Sequence, residues 1–246
     1  MPRILILGGT GEARALAAAL TDMPGIDLVS SLAGRVANPI LPPGEVRSGG
    51  FGGADGLTRW IREQAIDAIV DATHPFAAQI TTNAVLAADR CGTPLVVLRR
   101  PEWQAPVNAQ WNLVSDTAAA AELLPSVGTR AFLTIGRQGV DAFAGMATMW
   151  FLVRAIDPPE GKMPPRAELT LARGPFTVAG ETSLMRQRRI DVLVTKNSGG
   201  EQTAAKLEAA ERLDIPVVVI ERPPLPAGVS TVDDVSGAAA WVAAIT

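Results

Sequence analysis

The sequence contains no tyrosine, one histidine (His74) and one cysteine (Cys91). Without tyrosine there is no tyrosine–lysine proton relay of the kind short-chain dehydrogenases use. One histidine rules out a three-histidine metal site and any mechanism that needs two imidazoles. One cysteine rules out a disulfide framework and a cysteine-rich metal site, which fits a reducing cytoplasm. No metal is expected. No apolar run approaches the roughly 18 residues needed to cross a bilayer. The apolar run at 4–7 stops at Gly8-Gly9, so it reads as a buried strand rather than a signal segment. A net charge of −3 gives no reason to expect nucleic acid or an anionic membrane. The expectation is a cytoplasmic protein, monomeric or weakly homodimeric, with neither nucleic acid nor membrane as partner.

What is present is a large apolar fraction, 48% of 246 residues against 19% charged, enough for a substantial core. Strands are expected at 4–7, 27–31, 67–71, 95–98, 131–135, 150–156, 191–195 and 217–220. Most of these are continuous apolar runs, as parallel strands buried on both faces require. Ala-rich helical segments lie between them at 12–20, 77–90, 116–124, 202–213 and 236–245. The alternation predicts an α/β fold of βαβ units with right-handed crossovers.

Two stretches repeat. Residues 66–101 and 190–223 both read Ile-Asp, apolar strand, polar loop, helix, Pro, apolar strand, Arg-Pro. A duplication into two similar halves follows, divided near 100–106 where prolines interrupt the pattern. The expected domains are 1–101 and 102–246. Ligands of open parallel sheets bind beyond the carboxyl ends of the strands. Gly8–Gly11, Asp71–Ala77, Ile135–Gln138 and Thr195–Gly200 are therefore expected to line one interdomain cleft, a common place for a small-molecule site.

The Gly9-Thr10-Gly11-Glu12 stretch sits between a strand and a helix, the context of a dinucleotide fingerprint, with Arg14 where the third glycine usually stands. A tight turn without ligand is the plainer alternative. The second strand ends Ser30-Ser31-Leu32-Ala33-Gly34-Arg35, without the acid that binds an NAD ribose, so a 2′-phosphate suits it better. Arg35 reads equally as a solvated loop residue. His74 is either structural or catalytic; its place after a strand favours neither. Asp71 reads as a ligand contact or as the cap of a turn. Lys196 and Asn197 open the matching loop of the second half, followed by Ser198, Gly199 and Gly200. An exposed lysine on a glycine turn is the alternative there. Residues 47–56 and 157–166 read as loops able to close over a ligand, or as linkers. Arg137, Arg154, Arg166, Arg173, Arg186, Arg188 and Arg189 crowd the second half of an acidic protein. They suggest a polycarboxylate substrate, although 186–189 also reads as a solvated helix face.

Taken in order, the glycine stretch at 5–17, A-G-R at 33–35, G-G-F-G-G at 49–53, D-A-T-H-P-F-A at 71–77, G-P-F at 174–176 and T-K-N-S-G-G at 195–200 resemble the precorrin-6A reductases of cobalamin biosynthesis. The resemblance spans nearly the whole chain. It implies two Rossmann-like domains and an NADPH-dependent reduction of one carbon–carbon double bond in a tetrapyrrole edged with carboxylates. The cobalt-containing counterpart of that substrate is an open alternative, as is a non-catalytic NADPH-sensing module. On these readings the catalytic candidates are His74 and Lys196. The cofactor contacts are Gly9, Thr10, Gly11, Glu12, Ser30, Ser31, Arg35, Asp71, Ala72 and Thr73. The substrate contacts are Phe76, Arg137, Asn197, Ser198, Gly199 and Gly200. The proton can come from His74, Lys196, a bound water or the substrate's own tautomerism.

Overall fold

The computed structural model describes residues 1–34, 38–107 and 109–245. It divides into two units, Met1–Pro101 with Pro223–Thr246, and Glu102–Arg222. The first runs β1 (Arg3–Leu7), α1 (Gly11–Thr21), β2 (Asp27–Leu32), β3 (Glu45–Ser48), α2 (Gly53–Glu63), β4 (Ala68–Asp71), α3 (Ala78–Cys91) and β5 (Leu95–Leu98). The second runs β6 (Trp111–Val114), α4 (Thr117–Leu123), β7 (Arg130–Thr134), β8 (Trp150–Ala155), β9 (Ala167–Leu171), α5 (Val178–Gln187), β10 (Val192–Lys196), α6 (Ala205–Arg212) and β11 (Val217–Ile220). The chain then returns to the first unit as β12 (Ser230–Val232) and α7 (Val235–Ile245).

Each unit is a six-stranded parallel sheet. The strand orders are β3-β2-β1-β4-β5-β12 and β9-β8-β7-β10-β11-β6. Both follow the doubly wound 3-2-1-4-5-6 arrangement, with the sixth place filled from elsewhere in the chain. In the first sheet it is taken by β12, from the far end of the sequence. In the second it is taken by β6, which precedes every other strand of that unit.

The second expected domain, 102–246, is therefore corrected: 223–246 belongs with the first unit. Strand β12 pairs with β5 from Ser230↔Val96 to Val232↔Leu98, and Arg99 N–H donates to Val232 O at 2.8 Å. On α7, Ala238 and Val242 are fully buried in the cluster that holds Ile4, Ile6, Leu16 and Leu20. Apolar burial of this kind outweighs nearness in sequence.

The repeated motifs have structural explanations. Asp67 accepts Arg3 N–H at 2.7 Å, and Asp191 accepts Thr129 N–H and Arg130 N–H at 2.9 and 2.7 Å. Each aspartate thus satisfies backbone donors where the neighbouring first strand begins. Gly128 leaves that second carboxylate room, since a Cβ there would lie 2.6 Å from Asp191 Oδ1. The shared prolines work alike: Pro94 O accepts Ile69 N–H and Pro216 O accepts Leu193 N–H. The two Arg-Pro pairs, at 100–101 and 222–223, mark the places where the chain passes from one unit to the other.

The expected loop 47–56 holds the end of β3 and the first turn of α2. Gly56 lies inside the helix and must be glycine, because α2 passes so close to Phe51 that a Cβ there would lie 1.7 Å from its carbonyl oxygen. The other expected loop, 157–166, carries no helix or strand.

Candidate active site

In the first unit, the segments that follow β1, β2 and β4 meet at the carboxyl edge of the sheet. Gly8 N–H donates to Ser31 O at 2.9 Å, and Ala72 N–H donates to Leu7 O at 2.9 Å. Thr10 ties two of these segments together. Its Oγ1 donates to Ala72 O at 2.8 Å and accepts Ala13 N–H at 3.0 Å, capping α1. Gly9 holds φ +115, a backbone conformation suited to glycine. The N–H groups of Gly11 and Glu12 at the head of α1 have no partner among the described residues. Outward-facing N–H groups at a helix start are what a diphosphate needs. The Glu12 carboxylate is occupied by Arg100 Nη1 at 2.8 Å. Arg14, at the missing glycine position, is not where helix meets strand; Ala13, 4% exposed, packs there beside Gly8.

At the end of β2, Ser30 and Ser31 point to opposite faces of the sheet. Ser30 is 1% exposed, and its Oγ has no hydrogen-bond partner among the described residues. It lines a small hollow with Gly8, Gly9, Arg14 and Ile40. Ser31 Oγ accepts from Arg47 Nη1 at 2.8 Å. Arg47 also donates to Gly49 O and Gly50 O, and its guanidinium lies 3.9 Å from the Phe51 ring centre. Burial lowers its pKa, and it makes no ion pair among the described residues. Sequence reasoning missed Arg47, although it directly precedes the glycine motif at 49–53. The Arg35 expectation lies outside the described residues.

After β4, Asp71 is 1% exposed. Burial raises its pKa, opposed by hydrogen bonds from Thr73 N–H, Thr73 Oγ1 and Thr81 Oγ1 at 3.0, 2.6 and 2.6 Å. Asp71 thus shapes the 72–77 turn from beneath. His74 is exposed on that turn, and its Nδ1 accepts Phe76 N–H at 3.3 Å. This contact favours the tautomer with its proton on Nε2. The Phe76 ring lies against His74, centroids 5.8 Å apart.

In the second unit, the segments after β7 and β10 occupy the corresponding edge. Arg137 pairs with Glu160 at 3.1 Å, and that carboxylate side chain is 79% exposed. Lys196 ends β10, and burial lowers its pKa from the ordinary 10.5. Asn197 is 6% exposed and clamped by a segment that sequence reasoning did not connect to it. Its Oδ1 accepts Trp103 N–H at 2.9 Å, and its Nδ2 donates to Trp103 O at 3.3 Å. The Trp103 indole donates to Gly200 O at 3.0 Å, and Arg222 Nε donates to Asn197 O at 2.7 Å. Ser198 is 8% exposed, and Gly199 and Gly200 turn the chain with φ +64 and +79.

The arginine-rich surface expected of this half is partly absent. Arg154 is buried and makes a bidentate pair with Glu181, at 2.6 and 2.8 Å. Arg188 is paired with Glu168 at 2.7 Å. A hollow of about 600 Å³ between 103–111 and α6 has Glu201, Glu208, Glu211 and Asp214 in its wall, the wrong charge for a polycarboxylate.

Two sheets in this order, one with a glycine turn feeding an open helix start, define a doubly wound α/β protein of the Rossmann type. The model of the family Precorrin-6x reductase CbiJ/CobK matches residues 3–243, and the chain belongs to that family. It is 68% identical over 246 residues to the precorrin-6A reductase of Rhodococcus erythropolis, covering 100% of this chain and 99% of that one. It is 52% identical over 246 residues to the precorrin-6A reductase of Mycobacterium tuberculosis, covering 100% and 99%. A solved structure, CobK precorrin-6A reductase, superposes with a TM-score of 0.93 at 43% identity, covering 100% of this chain and 97% of that one.

Proposed function

We propose that the protein reduces one carbon–carbon double bond of precorrin-6A to give precorrin-6B, with NADPH as hydride donor. The observation that carries the cofactor reading is the carboxyl edge of the first sheet. There an open helix start stands beside a β2 end that offers two serines and an arginine instead of an acid. The residues present fit the cofactor: the Gly11 and Glu12 N–H groups suit its diphosphate, and Ser31 with Arg47 suits a phosphorylated ribose. NADPH supplies the hydride; the protein's part is to hold two flat partners together and keep water out.

Asp71 and Thr73 set the turn that carries His74, and His74 Nε2–H is the group we assign to proton delivery. Lys196 and Arg137 meet the substrate's carboxylates. Glu160 is exposed where it meets the half-buried Arg137, and a pair with one solvated member contributes little, so exchanging Glu160 for a substrate carboxylate costs little. Phe76 offers an apolar face to the ring system. Asn197 and Gly200 act through the Trp103 clamp, which fixes the loop between them.

Purified protein given precorrin-6A and NADPH is expected to consume the reduced nicotinamide in step with substrate. Tight NADPH binding without turnover, on precorrin-6A or its cobalt counterpart, refutes the reductase reading and favours a sensor. His74→Ala is expected to lower kcat about 10- to 100-fold, because water replaces an exposed donor in part. NADPH affinity should not move. A loss of several orders of magnitude makes His74 indispensable instead.

A further inference from the structure

In both units a phenylalanine follows the third strand of the doubly wound order and carries a guanidinium on its ring. After β9, Phe176 has Arg154 at 3.7 Å; after β3, Phe51 has Arg47 at 3.9 Å. The two arginines reach this place from different strands. Counting from the shared Asp67 and Asp191, Leu5 corresponds to Phe132, and their partners Val29 and Leu152 correspond in turn. Two residues further on, Ser31 and Arg154 are therefore equivalent. In the second unit the arginine stands on this position itself. In the first, Ser31 stands there and Arg47 reaches over from β3 to donate to it.

What balances the charge also differs. Arg154 faces Glu181, which takes both ends of its fork. Counting back from the shared Ile66 and Ile190, Leu57 occupies the place of Glu181. Among the described residues Arg47 has only neutral acceptors, Ser31 Oγ and the carbonyls of Gly49 and Gly50. One chain thus holds the same guanidinium-on-phenylalanine arrangement twice, neutralised once and left cationic once. A half-buried arginine, oriented by a ring and lacking a counter-charge, is suited to an anion with several oxygens.

We propose that Arg47 receives the phosphate on the 2′ position of the cofactor's adenosine ribose and so sets the preference for NADPH over NADH. The proposal rests on the NADPH reading above and names the residue that enforces it. The end of β2 is where this sheet order places the adenosine ribose, and an acid there would select NADH. Ser31 removes the acid, and Arg47 supplies the charge. Phe51 keeps the guanidinium at the edge instead of letting it turn into solvent.

The test is calorimetric titration of the whole protein with NADPH, NADH, 2′-phosphoadenosine 5′-phosphate and 5′-AMP. Arg47→Met keeps an apolar stem on Phe51 and removes the charge. It should weaken both 2′-phosphorylated ligands on the order of 100-fold. NADH and 5′-AMP should change by less than about twofold. Arg47→Lys should fall between the two proteins, retaining charge without the fork. Equal losses for phosphorylated and unphosphorylated ligands would show that Arg47 merely braces the Gly49 and Gly50 carbonyls, overturning the proposal. So would a preference for NADPH that survives in Arg47→Met. Wild-type protein without any preference would overturn the NADPH reading itself.

Discussion

Val242→Asp is expected to unfold the first unit, although Val242 lies close to the far end of the sequence. Its side chain is fully buried, on the same helix as Ala238 and in one cluster with Leu16, Leu20 and Val96. A carboxylate placed there has no described polar partner, and an unpaired buried charge exceeds about 4 kcal/mol in cost. That is a large share of the roughly 5–15 kcal/mol that keeps an ordinary domain folded. Removing 223–246 should act the same way, by stripping β12 from β5 and uncovering α1. Circular dichroism melting should show loss or early melting of one transition, and NADPH binding should disappear with it. Ala244→Asp, on the exposed side of α7, is the control and should melt like wild type. A normal melt for Val242→Asp would mean that α7 is dispensable to the first unit.

Arg154→Met is expected to lower the melting temperature of the second unit by roughly 10 °C or more. The arginine and Glu181 side chains are 8% and 4% exposed, so neither reaches water to compensate for a lost partner. Breaking a buried pair by removing one member typically costs about 3–5 kcal/mol, because the other charge stays behind. For a domain of this size each kcal/mol corresponds to several degrees. Replacing both members, Arg154→Met with Glu181→Leu, should recover most of the loss, since an apolar pair of similar volume is often neutral. If the single variant melts normally, the pair is not the structural element that its burial indicates. These two residues also show why arginine counts mislead: Arg154 was a candidate for substrate carboxylates, and Glu181 already holds it.

Central strands and most helices were legible in the sequence. Every strand expected from an apolar run is present within a residue or two. The four that went unread, β3, β6, β9 and β12, are the four sheet edges. Glu45-Val46-Arg47-Ser48 illustrates the cause. An edge strand is covered less completely than a central one and needs no continuous apolar run. The helix α2 was hidden by its glycines, which mark a close approach to Phe51 rather than a loop. For the candidate site, motif order identified the loops but not the supports beneath them. The Trp103 clamp on Asn197 spans more than ninety positions, and no local pattern announces it. Arg47 lay in a stretch read as a closing loop, and that its guanidinium takes the place of Arg154's is visible only once register puts Ser31 at the Arg154 position.

The exchange of sixth strands fixes an order of events during synthesis. The second unit has all its strands once Ile220 has left the ribosome. The first unit, made earlier, still lacks β12 and α7 at that moment. Until residues 230–245 emerge, β5 presents an unpaired parallel edge and α1 an uncovered apolar face, a combination open to wrong pairing. The half begun first is therefore completed after the other, and a chain cut short between Ile220 and Ser230 carries all the strands of the second unit joined to an incomplete first one.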